Sequence, residues 1–271
     1  MKPETISEKL MYNTVRLEAE NGSCGTGSYF SFNIGENNIP VLITNKHVIN
    51  NNSNELTRFF LHTANDNGEP DGNIEILFKT HWFFHTNKDI CFCYINPLFE
   101  QIQRESGKRV YYITNRESII PNKDTLQELS ALEELVMVGY PIGLWDSRNN
   151  LPIFRKGYTA SHPAIDFNKD GIGLIDMACF PGSSGSPIFI LNEGGYRDKK
   201  GTTVFGKSRI LLLGFLFAGP QYTATGELVI ETIPTQNKVT SNTPIMANLG
   251  YYVKSSEILE FKSQIQKDLP N

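Results

Sequence analysis

Short apolar, β-branched or aromatic runs follow one another along the chain, each broken off by a cluster of turn residues. Among the runs are "SYFSFNI", "PVLITNKHVI", "RFFLHTA", "IEILFK", "DICFCYI", "RVYYIT", "LVMVGY", "IGLIDMA", "SPIFIL", "RILLLGFLF" and "GELVIET". Between them lie "GENN", "NNNSN", "NDNGEPDGN", "NKD" and "NEGG". Many short strands at this spacing predict an all-β protein built as a barrel or sandwich.

Helical spacing is confined to two places. "DTLQELSALEEL" (124–135) sets leucines at 126, 129, 132 and 135, with Asp124 as an expected N-cap. "SSEILEFKSQIQKDL" (255–269) has a serine cap, then Ile258, Leu259, Phe261 and Ile265 toward one side, and Pro270 as a stop. The polar stretch around 103–125 is the expected crossover. The predicted organisation is an N-terminal β unit over 1–110, a crossover with a short helix over 111–135, a C-terminal β unit over 136–252, and a closing helix over 253–271.

The 271 residues, 39% hydrophobic and 20% charged, suit a globular chain with a sizeable core. A net charge of −4 argues against nucleic acid or an anionic membrane as partner. "MKPETISEKLMYNTVRLE" has no apolar segment of the secretory kind, and the longest apolar run, "ILLLGFLFAG", is about half a membrane span. A cytoplasmic location is the expectation. Four cysteines are then expected to stay reduced, with Cys91 and Cys93 packed in the core.

Candidate chemistry starts from five histidines. His81 and His85 in "HWFFH" have the i, i+4 spacing of metal ligands, but the glutamate of a zinc-peptidase helix is missing and the aromatics favour a strand or loop. No metal or cofactor is expected. His47 instead follows the strand "VLIT" and the turn "NK", where a side chain can project into a cleft. Asp89 in "NKDICFCYI" and Ser184 in "PGSSGSPIF" also stand at strand borders beside small or polar residues. A serine hydroxyl needs a neighbouring imidazole to take its proton, and the imidazole needs an acceptor to orient it. Gly182 tolerates the backbone angles that let the N–H groups of Gly182 and Ser184 turn the same way, toward an oxyanion. Asp176 is read as structural.

In this order and spacing, "TNKHV", "DICFCYI" and "PGSSGSP" resemble the motifs of trypsin-like serine peptidases of the chymotrypsin fold. The resemblance spans roughly 20 to 265. The ending Ser-Gly-Ser-Pro is closest in style to bacterial glutamyl endopeptidases and Deg/Htr-type proteases, with no room for a PDZ module. It implies two six-stranded antiparallel β-barrels with a C-terminal α-helix. It further implies His47 as general base, Asp89 as its orienter, Ser184 as nucleophile, and Gly182 and Ser184 as oxyanion donors.

Two departures matter. Val48 replaces the cysteine that follows the histidine in digestive members, and Ser183 replaces the aspartate used in their activation. Ala178 falls at the base of the specificity pocket, with Cys179, Leu216 and Phe217 near it, which predicts a small or apolar preference. Phe217, Ala218 and Gly219 are expected to pair with substrate backbone. The expected partner is a polypeptide substrate, with a regulatory protein as a further expectation acting through the polar insertion 192–208. A catalytically latent peptide-binding module on the same fold is the alternative.

Overall fold

The computed structural model describes residues 2–141, 144–228 and 239–268. The structure is mostly β, with a sheet in the front half, a closed barrel in the back half and a C-terminal helix.

The front half contains Thr14–Ala19 (β1), Cys24–Ile34 (β2), Asn37–Thr44 (β3), Leu56–Ala64 (β4), Pro70–Lys79 (β5), Phe83–Phe84 (β6), Cys91–Tyr94 (β7), Arg109–Tyr111 (β8) and Asn115–Arg116 (β9). They form one nine-stranded sheet of order β5-β4-β1-β2-β3-β7-β6, with β8 on β4 and β9 on β2. This is three strands more than the six expected; the short β8 and β9 come from the stretch read as crossover. β2 is buried on both faces along most of its length, and takes Thr26, Ser28 and Ser31 into the interior along with Tyr29, Phe30 and Phe32. Tyr29 joins Leu17, Leu42, Phe59 and Trp82 in the front core, while Phe30 and Phe32 point the other way.

The back half opens with Glu134–Gly139 (β10), Ile153–Thr159 (β11), Ile172–Asp176 (β12) and Pro187–Asn192 (β13). Gly195–Arg197 (β14) and Thr203–Phe205 (β15) follow, then Arg209–Ala218 (β16), Gln221–Leu228 (β17), Val239–Met246 (β18) and Leu249–Lys254 (β19). A closed barrel runs β10-β11-β12-β19-β16-β13. β14 and β15 make a hairpin from the polar insertion 192–208, and Lys199 Nζ at its tip donates to Gln127 O at 2.5 Å. β17 pairs with β18. Phe30, Phe32, Ile43 and Phe92 of the front sheet meet Val136, Phe189, Phe215 and Val253 of the barrel in one buried cluster. The seam between the halves is therefore hydrophobic core.

Four α-helices are described: Ile6–Leu10 (α1), Asn96–Ser106 (α2), Lys123–Gln127 (α3) and Phe261–Asp268 (α4). The helix expected over 124–135 is only the short α3, capped by Asn122 rather than Asp124. Leu126 and Leu129 pack on the barrel core, Leu132 is exposed, and Leu135 belongs to β10. The closing helix is preceded by a 3-10 turn over Ser255–Glu260, and Ser255 Oγ donates to Leu212 O at 2.6 Å instead of capping. Pro270, and the part of "GELVIET" beyond Leu228, lie outside the described residues. No described helix is long and apolar enough to cross a membrane.

Candidate active site

The end of β3 and the β6–β7 connection are held together by three consecutive side chains. Asn45 Nδ2 donates to Asp89 O at 2.6 Å, and Lys46 Nζ donates to His85 O at 2.5 Å. His47 Nδ1 lies 2.5 Å from Asp89 Oδ2, and the His47 backbone N–H donates to Asp89 Oδ1 at 3.2 Å. Two contacts on one carboxylate fix both the ring and its tautomer, with the proton on Nδ1 and the Nε2 lone pair free.

The loop "FPGSSGS" is two successive turns. Ser183 N donates to Phe180 O at 3.0 Å, with Pro181 second and Gly182 third at φ 87°. Ser186 N donates to Ser183 O at 3.0 Å, with Ser184 second and Gly185 third at φ 83°. A positive φ at the third position is the mark of a type II turn. Gly185 is required twice over, because a Cβ there would also lie 1.9 Å from Thr26 O. The Ser183 N–H is thus spent inside its turn. The N–H groups of Gly182 and Ser184, on either side of it, have no acceptor among the described residues. Two donors left open around a serine are what an oxyanion would use.

His47 and Ser184 line one cavity of about 490 Å³, together with Gly182, Pro181, Ser23 and Cys24. Among the described residues no hydrogen bond joins the His47 ring to Ser184 Oγ. Such contacts are often long before substrate binds. Thr26 on β2 pins the loop to the front sheet. Its N–H donates to Ser184 O at 2.8 Å and its hydroxyl to Gly182 O at 3.3 Å, while the hydroxyl oxygen accepts from Tyr140 N at 3.2 Å.

The six residues expected to contact substrate divide into groups. Cys179 and Leu216 are buried against Gly250, where a Cβ would come within 2.5 Å of the thiol and 2.7 Å of the leucine. Burial pushes the Cys179 thiol up to about 12. Phe217 and Ala218 line a second cavity of about 510 Å³ with Lys88, Asp89, Phe167 and Tyr251. Gly219 follows the end of β16, half-buried. Ala178 offers its carbonyl to Arg155 Nη1 at 2.5 Å, and the Arg155 guanidinium lies 4.7 Å from the Phe180 ring centre. Arg155 has no carboxylate partner among the described residues, and desolvation lowers its pKa.

Thr26, Asn45, Lys46, His85 and Arg155 were not singled out from sequence for this site. "TNKH" carried Asn45 and Lys46 as neighbours of His47, but Thr26 and Arg155 gave no signal. His81 and His85 do not meet: His81 Nδ1 lies 3.2 Å from Asn54 Oδ1, and His85 is buried elsewhere. All four cysteines are free thiols, and Cys91 and Cys93 are buried in the front core.

No family model matches the chain, and no curated protein matches it. Among solved structures it is similar to one described as the crystal structure of Deg5, at 14% identity over 78% of this chain and 81% of that one, with a TM-score of 0.41. It is also similar to a scabies mite inactivated protease paralogue, S-I1, at 11% identity over 96% of this chain and 97% of that one, with a TM-score of 0.47.

Proposed function

We propose that the protein is a trypsin-like serine endopeptidase. The observation that carries this is a single cavity lined by both the Asp89-bonded His47 and Ser184, beside two N–H groups with no acceptor among the described residues. Ser184 Oγ attacks the peptide carbonyl carbon as its proton passes to His47 Nε2, and Asp89 stabilises the imidazolium formed. The carbonyl oxygen becomes an oxyanion held by Gly182 N–H and Ser184 N–H. Collapse breaks the C–N bond, His47 gives its proton to the leaving amine, and water then hydrolyses the acyl-enzyme by the same steps.

The apolar Phe217 and Tyr251 lining the second cavity support a small or apolar side chain before the scissile bond, and the half-buried Phe217 and exposed Ala218 at the end of β16 support pairing with an extended substrate backbone. Four free thiols fit a reducing cytoplasm. A latent peptide-binding module is the second reading, favoured by the absence of a His47–Ser184 hydrogen bond among the described residues. A fluorophosphonate probe separates the two. The wild type is expected to label and to hydrolyse peptides, while S184A loses labelling and about 10⁶ in turnover. A folded wild type that neither labels nor cleaves supports the latent module.

A further inference from the structure

We infer that His85 is a positioning residue for Asp89; this rests on the reading of His47 and Asp89 as base and orienter. The connection between β6 and β7 is closed at its ends by His85 N–H donating to Ile90 O at 3.0 Å. Inside it, His85 Nδ1 accepts the N–H groups of Asn87 and Lys88, each at 3.2 Å. The imidazole thus forms the interior of the loop that carries Asp89, and its side chain is 1% exposed. Lys46, next to His47 in sequence, grips the carbonyl of the same histidine. The loop is shaped from within by one ring and clasped from outside by the residues flanking the base.

The hydrogen bonds decide what His85 can do. A nitrogen that receives two N–H groups presents its lone pair, so in the neutral ring the proton is on Nε2. Nε2 lies 3.1 Å from Glu260 Oε2, out of line for a hydrogen bond. Glu257 is close enough that His85, Glu257 and Glu260 place ligand atoms within 4.8 Å of one another, a metal-like cluster. Coordination through Nε2 would move the proton to Nδ1, against the two N–H groups already aimed there. Lys88 Nζ also lies 3.7 Å from Glu257 Oε2 and donates to Asp170 O, filling the place of a cation. Burial lowers the His85 pKa, opposed by Glu260 and Glu257 and assisted by Lys46 and Lys88. His85 is a neutral, single-tautomer acceptor, and the cluster is not a metal site.

The test uses the full chain with H85A, H85N and H85Q. Asparagine can place an amide oxygen near the position of Nδ1, whereas glutamine carries its acceptor one bond farther out. H85A and H85Q are expected to lower kcat/KM by roughly 10- to 100-fold, mainly in kcat, because a shift of about 1 Å in a catalytic group has that effect. The low-field proton resonance of the His47–Asp89 hydrogen bond should weaken with them. H85N is expected to restore both kcat and the resonance. Wild-type kcat and resonance in a folded H85A or H85Q, or an H85N no better than H85Q, overturns the inference. If the wild type shows no hydrolysis but its low-field resonance still depends on His85, the positioning role stands and the peptidase reading fails.

Discussion

Thr26 shows how much of the site rests on a residue that does no chemistry. Its hydroxyl donates to Gly182 O, accepts from Tyr140 N, and meets Ser186 Oγ at 3.2 Å, all in the fully buried seam. T26V keeps the shape and strands those partners, at an expected cost of about 2 kcal/mol in urea unfolding. Acylation should slow as well, because Gly182 loses its tether; T26S should recover both. Wild-type stability in T26V would remove this account. His47, Asp89 and Ser184 stand out in sequence only together: each type is common at strand borders, and the order and separation of the three motifs single them out. Arg155 and His85 do not, because what they hold is far off in sequence or is backbone. No local pattern tells a loop-filling histidine from a ligand.

At the scale of elements, strands were the most legible, since short β-branched runs between turn clusters have few other readings. Helices were read less well. α1 carries a Thr5–Glu8 capping box, and α2 has Pro97 at its start and Gly107 at its C-cap with φ 70°. Both signals were present, masked by the apolar runs beside them. In 124–135 the leucine spacing is helical, yet barrel closure draws Leu135 into β10, so tertiary pairing overrides local period. α4 is where packing governs an element outright. Phe261 is 2% exposed and lies 4.8 Å from the Phe92 ring. F261A is expected to lower unfolding free energy by about 3 kcal/mol in a urea titration. A loss under 1 kcal/mol would mean that the helix adds little to the front sheet.

For the whole molecule, acid works against the core through His62. His62 is buried on β4, its ring 4.7 Å from that of Tyr12, and burial pulls its pKa from 6.5 to about 4. As pH falls, the unfolded chain takes up that proton first. Stability from the neutral ring is therefore whole above 6.5 and lost on the way down to 4, by roughly 3 kcal/mol. Urea midpoints should drop between pH 7 and pH 4.5, and H62F should flatten that slope. An unchanged slope in H62F would assign the acid sensitivity elsewhere. The mostly β character of the molecule was readable from its strand-rich segments. The extra strands on the front sheet were not, because β8 and β9 are only three and two residues long.

The unequal exposure of the thiols has a practical side. Cys91, Cys93 and Cys179 are interior and their thiolates are suppressed by burial, whereas Cys24 is partly open and borders the cavity with His47 and Ser184. A maleimide dye would thus attach at one position without any engineered cysteine. Its emission would report on whatever enters beside Ser184.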